Sequence, residues 1–101
     1  MTDLQVTIPK IELTAFCQKW RVAELGIFGS ALREDFNPTS DVDVLVSFTP
    51  DAQICLFDLA QMQIELEKLF KRPVDIVEKE GLINPFRKRE ILNTVKVIYA
   101  A

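Results

Sequence analysis

The sequence predicts an α/β (α+β) domain built on a small mixed β-sheet with helices packed on it, and three observations carry that reading. Apolar residues recur at helical spacing in Leu13, Phe16, Cys17 and Trp20, and again in Leu59, Met62, Leu66, Leu69 and Phe70. Runs of strand length and β-branched character, 42–46 and 74–77, lie between breaker clusters. The two patterns alternate along only 101 residues, enough for one modest core, so residues 1–101 are expected to form a single domain.

Taken in order, residues 1–8 read as a lead-in. Pro9 suits the first turn of a helix running to about Trp20, with its apolar stripe turned inward. A strand at about 23–28 delivers the turn Gly29-Ser30, and 31–34 have the length of one helical turn. The next strand, about 41–48, stops at Thr49-Pro50-Asp51. The second helix spans about 56–70 and ends before Arg72-Pro73. A third strand covers 74–77. Asn84-Pro85 then supplies a cap and an N1 proline for a helix to about Leu92, and 95–99 read as a last strand.

Composition narrows the function. Hydrophobic content of 49% with 27% charged residues suits a globular chain, and a net charge of −3 argues against gripping nucleic-acid backbone. The sequence has no His, which removes imidazole ligands and His-activated nucleophiles. Cys17 and Cys55 lie far apart in apolar segments and read as reduced core residues of a cytosolic protein. Without a leader or a long apolar run, the expected address is the cytoplasm, with no membrane partner.

The chemistry concentrates between Leu25 and Val46. In an extended strand, Asp41 and Asp43 project from one face about 7 Å apart. Two carboxylates so placed repel unless a cation lies between them, and a hard ion such as Mg²⁺ prefers such oxygens. A Gly-Ser turn directly after a strand offers close backbone N–H groups and a hydroxyl to a phosphate. Either element alone is commonly a solvated strand end or an ordinary turn. Asp75, a lone carboxylate in an apolar strand, either has a buried cationic partner, lies at an exposed end, or completes a metal site with Asp41 and Asp43. Arg33 reads equally as a phosphate contact or an ion-pair partner of a nearby carboxylate such as Asp35. The run Arg87-Lys88-Arg89 is a solvated helix face or a surface for an acidic partner or RNA.

Gly29-Ser30, ten residues, and then Asp41-Val42-Asp43 resembles the signature of the DNA polymerase β-like nucleotidyltransferase superfamily. It is most similar to the minimal nucleotidyltransferase (MNT) domain, the antitoxin half of HEPN/MNT toxin–antitoxin pairs. Gly29, Ser30, Arg33, Asp35, Ser40, Asp41, Asp43 and Val46 fall where that pattern has them, while Leu32 stands where many members carry Ala. The resemblance implies the polymerase β-like nucleotidyltransferase fold and transfer of AMP from ATP. Asp41, Asp43 and Asp75 would be the catalytic residues and would hold two Mg²⁺ ions, with Asp75 taking the proton of the attacking hydroxyl. Gly29, Ser30, Arg33 and Ser40 would bind the nucleotide.

After the third strand the sequence has only one helix and a tail, so the acceptor site is expected to come from a partner. The resemblance implies a cognate HEPN-type ribonuclease toxin, modified on a hydroxyl, most naturally Tyr, and the net negative charge argues against a direct nucleic-acid substrate. Two other readings stand beside it. One is a non-catalytic antitoxin that neutralises its toxin by binding alone, and the other is a transferase acting on a small molecule. Ile54, Leu56, Phe57 and Phe86 are candidates for covering an interface in a homo-oligomer or a hetero-oligomer with the toxin.

Overall fold

A computed structural model describes residues 9–29 and 41–101. The first helix, α1 (Lys10–Lys19), follows Pro9 at the N-cap, whose carbonyl accepts from Leu13 N at 2.9 Å. Leu13, Phe16 and Cys17 are buried, as their i, i+3, i+4 spacing requires. Arg21, at φ 56°, turns the chain out of the helix and into β1 (Val22–Phe28). Strand β2 (Val42–Phe48) pairs antiparallel with β1. It begins at Val42, so Asp41, expected to open the strand, is the residue before it.

The second helix, α2 (Leu56–Phe70), covers the predicted span and buries Met62, Leu66 and Phe70 at successive four-residue steps. Its first turn is closed by a reciprocal cap: Cys55 N donates to Asp58 Oδ2 at 3.1 Å, and the Cys55 side chain accepts from the Asp58 backbone. Cys55 is therefore exposed, and the expectation that both cysteines lie in the core holds only for Cys17. The helix ends at Lys71, in the left-handed conformation at φ 57°. Glu67 Oε2 then accepts from Val74 N at 3.0 Å, fastening the end of α2 to the start of β3 (Val74–Glu78). Because β3 runs parallel to β2, a crossover is obligatory, and α2 provides it.

A 3₁₀ turn (Lys79–Gly81) leads to α3 (Pro85–Thr94), where Asn84 Oδ1 accepts from Phe86 N and Arg87 N at 3.0 and 3.2 Å. The chain ends on β4 (Lys96–Ala100), antiparallel to β1, giving the sheet order β3-β2-β1-β4. The two faces of the sheet are covered unequally. On one, α1 and α2 enclose Leu13, Phe16, Cys17, Leu25, Ile27, Val42, Val44, Val46, Met62, Leu66 and Phe70. On the other, Phe28, Leu45 and Ile91 form a smaller cluster flanked by Val77, Leu82 and Val95. Ile54, one of the interface candidates, is half-buried and packs against the main core. Among the described residues, no helix is long and apolar enough to cross a membrane.

Gly26 explains how the last helix reaches the last strand. A Cβ there would lie 2.6 Å from Val95 Cγ2 and 3.2 Å from the Lys96 carbonyl oxygen. The α3–β4 connection thus crosses β1 directly over the bare backbone of Gly26, where the β1–β4 register also shifts.

Candidate functional site

Alternation along β2 and β3 decides where the carboxylates go. Asp43 shares a face with Leu45, and Asp75 with Val77, because residues two apart point the same way. Leu45 and Val77 belong to the smaller cluster, so both carboxylates lie on the face that α3 covers, beyond its apolar patch. The parallel register sets Asp43 directly opposite Asp75, about 4.8 Å away across the strands. On its other side, Asp43 faces Phe28, the last residue of β1. Asp43 is half-buried and Asp75 exposed, so the pair stands at the open margin of the cluster. Of the three alternatives for Asp75, the exposed position is the one observed, and it is compatible with standing beside a second carboxylate.

Gly29 completes this end of the sheet. Its φ of 75° is left-handed, and a Cβ added to it would overlap Asp43 Oδ2. The absence of a side chain is thus required twice over, once by the backbone and once by the Asp43 carboxylate. The geometry brings together Gly29, Asp43 and Asp75, with the exposed Asp41 two residues before Asp43. Ser30, Arg33 and Ser40, and the turn expected at 31–34, lie outside the described residues. Among the described residues, no group of three or more Asp, Glu, Cys or His side chains is gathered as a metal site. The register pair is a two-carboxylate arrangement of hard oxygen donors.

Sequence reasoning did not find the floor under these groups. Phe28, Leu45 and Ile91 are each at most 7% exposed and form a buried apolar patch beside the carboxylates. Its signal was Gly26, since a glycine inside a strand marks a close approach of another chain segment. A cleft of about 430 Å³ occupies the opposite end of the β1–β2 pair and includes Lys19, Arg21, Asp51 and Asp58. Its charges already have partners: Lys19 meets Glu65, Arg21 meets Asp51, and Asp58 caps α2.

The mixed sheet sets a left-handed glycine against one strand carboxylate, with a second carboxylate in register, and the class of protein that carries this arrangement here is a nucleotidyltransferase. The chain belongs to the nucleotidyltransferase domain family, whose model matches residues 10–98. It is 34% identical over 98 residues to MntA, a protein adenylyltransferase of Thermococcus cleftensis, covering 91% of this chain and 97% of that one. It is also 34% identical over 74 residues to MJ1217 of Methanocaldococcus jannaschii, itself proposed to be a protein adenylyltransferase, covering 73% and 74% of the two chains. The crystal structure of a toxin–antitoxin with AMP-PNP superposes with a TM-score of 0.73 at 12% identity, over 93% of this chain and 75% of that one. At that identity the likeness is one of fold.

Proposed function

We propose that this chain, acting as one domain over residues 1–101, is a cytoplasmic antitoxin that transfers AMP from ATP to a hydroxyl of a cognate HEPN-type toxin, most naturally a Tyr. The observation that carries this reading is the seating of Gly29 against Asp43, with Asp75 in register beside it. The adenylyltransferase relative MntA, matched along nearly its whole length, supports the acceptor's being a protein. The toxin–antitoxin fold neighbour with AMP-PNP supports both the kind of partner and an adenine nucleotide.

Asp41, Asp43 and Asp75 would hold Mg²⁺, two ions in the full site, and that metal would neutralise charge developing on the phosphates. The backbone at Gly29 can approach a phosphate closely because no side chain intervenes. Ser30, Arg33 and Ser40 would add a hydroxyl, a cation and a second hydroxyl to the nucleotide. Asp75, exposed at the margin of the cluster, would accept the acceptor hydroxyl's proton. The hydroxyl oxygen then bonds to the α-phosphorus, the bond from that phosphorus to the β-phosphate bridging oxygen breaks, and pyrophosphate carries away the electron pair. No covalent enzyme intermediate is needed.

Incubation with ATP, Mg²⁺ and the product of the adjacent gene, followed by intact-mass spectrometry, tests the reading. A gain of one AMP unit per addition on the partner, absent with Asp41→Asn or Asp43→Asn, is expected. A tight complex with no mass change, and full protection by Asp41→Asn, would establish an antitoxin that works by binding alone. Transfer only to a small hydroxyl compound would replace the protein acceptor.

A further inference from the structure

Helix α3 buries one residue of ten, Ile91, and leaves the rest of its surface to solvent. Its first half carries three consecutive cations, Arg87, Lys88 and Arg89, all exposed. Among the described residues, no carboxylate pairs with any of them. Beside them, Ile83 is 92% and Phe86 84% exposed. Charge is distributed against the trend of the molecule here. Residues 82–95 hold three cations and one anion in a chain whose net charge is −3.

The helix is also tied to the carboxylate end of the sheet. Ile91 packs with Phe28 and Leu45, and Phe28 is the register partner of Asp43. The last turn of α3 passes through Val95 to Lys96, which pairs with Ile27. A chain lying along the helix, about 15 Å long, would be led toward Asp43 and Asp75.

Resting on the transferase reading, we infer that the exposed face of α3, with Ile83 and Phe86 as apolar anchors and Arg87, Lys88 and Arg89 as its charged rim, docks an acidic segment of the protein acceptor. An exposed aromatic and aliphatic pair bordered by arginines has the composition of a protein interface. The acidic remainder of the chain repels a phosphate backbone and leaves nucleic acid the less suited occupant. The rim charges speed encounter and select the acceptor, while Ile83 and Phe86 hold it.

The test uses fluorescence anisotropy with the full chain and three labelled probes: a Glu/Asp-rich peptide carrying one Leu and one Tyr, its Lys-rich counterpart, and a single-stranded RNA oligonucleotide. The wild-type chain should bind the acidic peptide at least about tenfold more tightly than the Lys-rich one, and less tightly as salt rises. The triple variant R87E/K88E/R89E should reverse that preference, and Phe86→Ser should weaken both peptides. Since these side chains are exposed and, among the described residues, no carboxylate pairs with the three cations, melting temperatures should be unchanged. Equal binding by wild type and triple variant overturns the proposal, as does failure to bind the acidic peptide. RNA binding that depends on the three cations, or self-association abolished by Phe86→Ser, assigns the face to another occupant and likewise overturns it. Mass analysis of the Tyr peptide after incubation with ATP and Mg²⁺ separates the two claims. Binding without transfer counts against the transferase reading and leaves the docking face standing.

Discussion

Asp43 and Asp75 are register partners on the parallel strands β2 and β3, so two carboxylates occupy adjacent positions on one face of the sheet. Like charges placed directly across from one another oppose pairing of the strands. Replacing Asp75 by Asn removes that repulsion while keeping the side chain's shape. The expected outcome is an unchanged or slightly higher melting temperature together with a rate loss of about 10²–10⁴-fold. Nucleotide affinity should change far less, because a general base acts on the transition state. Steady-state kinetics, nucleotide titration and thermal melts on one preparation would check this. Lost stability with full activity per folded molecule would make Asp75 a structural charge.

Gly29→Ala should damage the site from the opposite strand. The left-handed backbone costs an L-residue about 1–2 kcal/mol, and the added methyl would displace the Asp43 carboxylate. Activity should therefore fall along with the melting temperature. Gly81→Ala serves as the control, since among the described residues a Cβ there would meet only Glu78 Cβ, at 3.8 Å. That variant should stay within about 0.5 kcal/mol of wild type in denaturant unfolding.

How much of this was legible in the sequence depended on whether a local pattern had a single physical solution. Leu13, Phe16 and Cys17, and Met62, Leu66 and Phe70, have one helical face each, and both helices formed where periodicity put them. The Asn84-Pro85 start was equally local, although α3 continues to Thr94 rather than Leu92. Cys55 was misplaced because an apolar neighbourhood suggested burial, whereas a helix cap requires its side chain at the surface. The pairing of Asp43 with Asp75 is a register between strands far apart in sequence, and no local pattern specifies it. The crossing of Val95 over Gly26 was visible only as an unexplained glycine within a strand.

Glu65 offers a pH test of the α1–α2 contact. Burial raises its pKa, but hydrogen bonds from Lys19 at 2.9 Å, Gln61 at 3.0 Å and Trp20 Nε1 at 3.1 Å outweigh that and hold it below the usual value. A carboxylate depressed in the folded state stabilises the fold above its unfolded pKa, and that contribution is lost as pH falls through the folded one. Glu65→Gln should cost about 0.5–1.5 kcal/mol near neutrality. The difference from wild type should shrink as both are acidified below the ordinary carboxylate range. Urea unfolding across that interval measures it, and a pH-independent difference would show that packing alone ties Glu65 to Trp20.

The two thiols should behave as opposites. Burial pushes Cys17 up to about 12, whereas Cys55 is exposed at the start of α2. With a thiol-reactive probe under native conditions, Cys55 should react and Cys17 should wait for the protein to open, giving two phases in the labelling record. Cys55→Ser should abolish the fast phase and preserve stability, since serine is a good N-cap. The single slow phase left in that variant then reports the opening of α1 from the sheet. Because the thiol pKa is raised on folding, its ionisation favours the unfolded chain once pH exceeds the unfolded value of 9.0. Cys17 should therefore lower stability by about 1.4 kcal/mol per pH unit from there toward its folded value, and Cys17→Ala should remove that slope while costing packing at every pH. If Cys17 in the folded Cys55→Ser variant labels as fast as in denaturant, α1 does not seal the core, and the slope should be absent as well.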